Sequence, residues 1–195
     1  MTPPAANPPS PARTRLSWLL AAAATVALAV VFFSPAREVA DVRLDPSNYA
    51  SYAYFTAKGF SYGADVLPMA GPYGFVPYGF LYAGHLFAER FVLELFTKLL
   101  LGGLVVWFLR RHPGWPRWVW LVALLVMAPL VEDMPYDLTL LLVGLALVDT
   151  HAAAGRRRLA IACGLAAAMA LLTLFKGTQA TLSFAILGLL VLQAA

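Results

Sequence analysis

Phe91 to Leu109 reads FVLELFTKLLLGGLVVWFL, and Arg110 and Arg111 close it. As a helix rising ~1.5 Å per residue, the run is about 28 Å long, close to the ~30 Å hydrocarbon core of a bilayer. Two charges interrupt it. Glu94 and Lys98 stand four residues apart, so they share one helix face and can pair. At membrane depth such charges face protein or a wet cavity. The plainer alternative is an interfacial structural pair, or a lysine that snorkels. The whole chain repeats this apolar pattern: its 195 residues are 61% hydrophobic and only 12% charged. Mean hydropathy is +0.74. A soluble domain carries about 25% charged residues, so one water-facing core cannot hide this much apolar surface. The expected fold class is all-α, a polytopic transmembrane helix bundle of about six spans. A long outer loop containing an interfacial helix completes it.

Upstream, residues 1–15 hold four prolines in the first nine positions and predict a disordered cytoplasmic tail. Residues 16–33 form a first span of just sufficient length. A basic flank and a Ser34-Pro35-Ala36 end also suit a signal peptide, but the run is long for one and reads better as an uncleaved anchor. The segment 34–90 is the one long stretch that is no plausible span. Within it Pro46 suits the first turn of a helix and Gly59 the residue past its end. Tyr49, Tyr52, Ala53 and Phe55 give that helix an aromatic face suited to the membrane interface. The Gly71-Pro72-Tyr73-Gly74-Phe75 run forbids regular helix and predicts a tight turn. Phe80 to Phe87 then begins a helix that merges with the second span.

Downstream, spans are expected over 91–109, 116–132, 136–150, 159–176 and 180–195, making 16–195 one transmembrane domain. The third and fourth runs are short, and read either as two crossing helices or as a tight hairpin. The chain stops inside its last apolar run, which predicts a longer parent protein. Charge orders the breaks. Arg13 and Arg15, then Arg110, Arg111 and Arg117, then Arg156 to Arg158 fall on alternate breaks. Acids dominate the others, so the positive-inside rule puts the N-terminus in the cytoplasm and the 34–90 loop outside. The net charge of +4 reflects these clusters, and nucleic acid is not an expected partner. Cys163 is the lone cysteine, and His85, His112 and His151 lack ligand spacing.

Asp41 and Asp45 follow the first span closely. A carboxylate at an interface loses solvation and gains basicity, so either acid can serve as general base on an acceptor hydroxyl. Asp45 equally suits a helix cap beside Pro46, and Asp41 a solvated loop acid.

A first span, an early acid, an interfacial helix and a long outer loop resemble the start of the GT-C glycosyltransferases. Those are polytopic enzymes that move sugars from polyprenyl-phosphate carriers. Gly59 to Phe75, GFSYGADVLPMAGPYGF, is similar to the G-x-x-x-G-x-D … T-Y-G-P-L-G-F stretch of uncharacterised bacterial membrane proteins related to that group. Gly71, Pro72, Gly74 and Phe75 are kept. Met69-Ala70 replaces Thr-Tyr, and Tyr73 replaces Leu. The resemblance covers about the first half of such an enzyme. It implies a lipid-linked-sugar-dependent glycosyltransferase of the bacterial inner membrane and cell envelope, with Asp41 or Asp45 as catalytic base. It also implies a role in metal or acceptor binding for the second outer-loop acids, here Glu132, Asp133 and Asp137. The resemblance leaves the cofactor unknown, with a divalent metal as one option for these acids. Lys176 would meet the carrier phosphate as a point charge. Membrane lipid and a polyprenyl-phosphate sugar donor are the implied partners. The alternatives are a non-catalytic transporter subunit, an envelope polysaccharide assembly factor, or an inactive fragment.

Overall fold

A computed structural model describes residues 11–33, 44–61, 64–65, 72–77, 85–127, 134–151 and 156–194. Among them are seven α-helices and no extended sheet: α1 (Pro11–Phe32), α2 (Leu44–Ala57), α3 (His85–Arg111), α4 (Pro116–Met127), α5 (Met134–His151), α6 (Arg156–Thr173) and α7 (Gly177–Ala194). The all-α class read from composition holds.

Local chemistry sets the ends. α2 carries Pro46 in its first turn, where a missing N–H costs nothing. It stops in a Schellman motif. Gly59 takes φ +70°, its N–H donates to Thr56 O at 3.1 Å, and the Phe60 N–H reaches back to Phe55 O at 3.0 Å. The Phe55 and Phe60 rings, 5.6 Å apart, supply the hydrophobic contact that accompanies this cap. α3 starts at His85, so it merges the end of the 34–90 segment with the apolar run and spans 27 residues. Arg110 and Arg111 occupy its last turn, where cations suit the helix dipole. Gly114, at φ +125°, then turns the chain into Pro116, the first residue of α4.

Three registers fix the packing. α1 runs antiparallel to α3: Phe33 meets Phe91 at 5.5 Å between ring centroids, and the Arg110 guanidinium lies over Trp18 at the other end. α3 and α5 run parallel, with Lys98 beside Tyr136 and Arg111 bonded to Asp149. α5 and α7 are also parallel, since Tyr136 touches Phe175 and Gly144 abuts Ile186. α5 therefore sits centrally, against α3, α6 and α7.

Among the described residues, two helices are long and apolar enough to cross a bilayer, Arg15–Phe32 and Leu86–Arg111. The apolar helices Pro116–Val126, Leu159–Thr173 and Gly177–Leu192 are shorter. Much apolar surface stays uncovered: Leu19 on α1 and Leu192 on α7 are 67% and 75% exposed. Exposed apolar faces of this extent mark contact with lipid or another apolar partner.

Candidate functional site

Glu94 and Lys98 on α3 form part of a longer stripe. Arg90, Glu94 and Lys98 recur every fourth residue along α3, on one face. All three are buried, with Glu94 at 0% and Lys98 at 1% exposure. The ion pair that forms is Arg90 Nη2 to Glu94 Oε2, at 2.8 Å. It is an electrostatic contact more than a well-angled hydrogen bond at that oxygen. Glu94 thus pairs one turn back with Arg90, where the sequence offered Lys98. The Lys98 ammonium instead lies 3.9 Å from the centre of the Tyr136 ring. A desolvated cation–π contact of this kind is worth about 2 kcal/mol. Counted over its own three side chains, two cations and one carboxylate, the stripe is net positive. Thr97 adds no spare donor to it, because its hydroxyl donates to Leu93 O at 2.8 Å.

The segment 72–77 roofs this stripe. Arg90 Nε donates to Val76 O at 3.2 Å. Phe75 and Val76 are buried. The Tyr73 N–H donates to Leu174 O at 3.2 Å, and its ring stands 6.4 Å from that of Phe175. Phe175 in turn lies 5.6 Å from Tyr136. The Thr56 hydroxyl on α2 reaches Pro72 O at 3.2 Å. So the turn expected at Gly71 to Phe75 is present over its described part, and it ties α2, α3 and the α6–α7 junction together above the charges.

α7 contributes a polar pair. Gln179 and Ser183 share a face with Ile186, being four and three residues apart. That face looks toward α5, between the Phe175–Tyr136 and Ile186–Gly144 contacts. Gln179 is fully buried and Ser183 nearly so. Neither amide atom of Gln179, nor the Ser183 hydroxyl, has a hydrogen-bond partner among the described residues. Each such group costs about 1–3 kcal/mol, so their presence marks a place suited to a polar guest. Thr139, in the same layer of α5, is satisfied by Pro135 O.

The residues singled out from sequence divide sharply. Asp45 lies in the first turn of α2, one residue inside its start, not before it. Its side chain lies outside the described residues, as do Asp41, Glu132 and Asp133. Asp137 is half-buried in the first turn of α5, next to Tyr136, and is engaged by a neighbour. Lys176 is half-buried beside Phe175 and likewise engaged. Its carbonyl accepts the N–H groups of Gln179 and Ala180 and so opens α7. The Tyr136–Phe175 contact therefore brings Asp137 and Lys176 to the roofed end of the bundle. Among the described residues, no group of three His, Cys, Asp or Glu side chains is placed to hold a metal.

Sequence reasoning missed Arg90, Tyr136, Gln179 and Ser183. A signal existed for two sets. Arg90 extends the Glu94–Lys98 spacing by one more step of four, and Gln179 and Ser183 repeat that step on α7. Tyr136 carried no signal, because its role depends on the register of α5 against α3. No protein-family model, no curated protein and no solved structure matches the chain, so its chemistry rests on these residues.

Proposed function

We propose that the chain is the membrane-embedded part of a GT-C type glycosyltransferase that uses a polyprenyl-phosphate-linked sugar at the outer face of the inner membrane. The observation that supports this best is the net-positive stripe Arg90–Glu94–Lys98 beneath the 72–77 turn. A buried cation in excess suits an anionic headgroup. The turn above it is the segment that carries the family resemblance. In this reading α1, α3, α4, α5, α6 and α7 are the six spans, α2 lies in the outer interface, and the arginine-rich breaks face the cytoplasm.

The chemistry follows from the charges. Asp41 or Asp45 takes the proton of an acceptor hydroxyl. The acceptor oxygen bonds to the anomeric carbon, and the bond from that carbon to the carrier phosphate breaks. The electron pair leaves on the phosphate, where Lys176 at the roof and Lys98 beneath it stabilise the charge. Asp137, with Glu132 and Asp133, supplies the acids for acceptor or divalent-metal binding.

Changing both Asp41 and Asp45 to Asn in the full-length protein should lower transfer of lipid-linked sugar by ~10²-fold or more. Undiminished transfer at normal expression would remove both acids from the mechanism. A phosphatase reporter fused near residue 60 should be active, and one near Arg157 silent; the reverse pattern would invert the topology.

The near-complete burial of Glu94 and Lys98 favours a second reading. The stripe is then a structural or passage-lining element of a transporter subunit or envelope polysaccharide assembly factor. Absence of any transfer by the intact protein, with transport dependent on Lys98, would select it.

A further inference from the structure

The opposite end of α3 carries a feature that this reading does not use. α1 and α3 touch closely at Thr25 and Gly102. Between that contact and the hydrogen bond from Arg110 Nη2 to Ser17 Oγ, 2.9 Å long, lies a groove of about 570 Å³. Ala21, Ala22 and Gly103 hollow it out, and Val106 and Trp107 wall it. Its size is that of a ligand cleft, ~300–1,000 Å³. Its charged lining residues gather at one mouth, where Trp18, Arg110 and Arg111 stand.

Both arginines are exposed. Arg110 lies 5.4 Å over the Trp18 ring, and Arg111 bonds Asp149 Oδ1 at 2.7 Å. The Ser17 and Asp149 hydrogen bonds each engage one terminal nitrogen of a group with five N–H donors. Arg117 reaches the same helix end through Leu109 O, 3.4 Å away, and Arg15 lies one turn before Trp18. Asp149 is the acid facing these cations.

We infer that this groove seats one anionic phospholipid, its acyl chain along α1 and α3 and its phosphate on Arg110 and Arg111. An apolar slot with a cationic mouth matches a molecule with an apolar tail and an anionic head. Free phosphate would leave the slot unused. A second copy of the chain in the same orientation would set its own arginines against these.

The test uses the purified full chain in neutral detergent, titrated with phosphatidylglycerol or phosphatidylcholine carrying brominated chains. Bromine quenches nearby tryptophan, so Trp18, Trp115, Trp118 and Trp120 are first changed to Phe, leaving Trp107 in the groove as the reporter. Phosphatidylglycerol should bind more tightly, and Arg110→Gln and Arg111→Gln should each weaken it roughly five-fold. Gly103→Leu should abolish quenching by filling the slot, while Gly188→Leu, at a site with nothing within 4 Å, should leave it intact. Equal quenching by both lipids, unaffected by Arg110→Gln, overturns the assignment. So does full displacement of the lipid by inorganic phosphate, or a dimer that Gly103→Leu disperses. Unchanged helicity of each variant ties a lost signal to the groove.

Discussion

Two adjacent glycines on α3 make opposite predictions, and the contrast tests how α1 is held. A methyl group added at Gly102 would stand 2.5 Å from the Thr25 carbonyl oxygen and 3.3 Å from its carbon. A comfortable C···O contact is ~3.3–3.6 Å, so α1 must retreat by about 1 Å. The obstacle is helix backbone, which cannot rotate aside as a side chain does. Overpacking of this kind costs ~1–3 kcal/mol. At Gly103 the same methyl group meets only Thr25 Cγ2, at 3.9 Å, an ordinary contact. Both substitutions gain the same ~1 kcal/mol of helix propensity. Their difference therefore isolates the contact: Gly102→Ala should be less stable than Gly103→Ala by ~1–3 kcal/mol. For a chain of this size that is roughly 2–4 °C of Tm per kcal/mol. Thermal unfolding of both variants in one detergent, followed by circular dichroism, reads it. If Gly102→Ala melts at or above Gly103→Ala, α1 does not cross α3 at Thr25, and the groove between them loses its floor.

Three further outcomes follow from the buried polar layer. Glu94→Gln removes the carboxylate that the stripe sets against Arg90 and Lys98 and should cost ~3–5 kcal/mol; an unchanged melting temperature refutes the pairing. Tyr136→Leu should destabilise by about 2 kcal/mol more than Tyr136→Phe, because phenylalanine keeps the ring face under Lys98; equal melting temperatures would mean the ring does not hold the ammonium. Gln179→Leu should leave stability unchanged or raise it, since both amide atoms lack partners among the described residues. A loss above ~1 kcal/mol would show that the amide is already bonded.

Helical class, and much of the helix placement, could be read from the chain by itself. Apolar runs of near-spanning length, Pro46 and Gly59 around α2, and Pro113 to Pro116 after α3 act through neighbours in sequence, and local sterics make such signals readable. The stripe of Arg90, Glu94 and Lys98 was half legible for the same reason, since residues four apart share a helix face. What each member touches was not. Whether Glu94 turns to Arg90 or Lys98 depends on where Tyr136 arrives, and that is set by the parallel packing of α5 on α3. The roof behaves alike. Sequence shows that residues 71–75 must turn, but only the folded bundle brings Val76 O to Arg90 and Tyr73 to the α6–α7 junction. The groove at Arg110 exists only because two small-residue faces, far apart in the chain, meet at one close contact. Helix periodicity is local information, whereas the partners of a buried charge come from contacts between segments, and no single stretch of the chain encodes those.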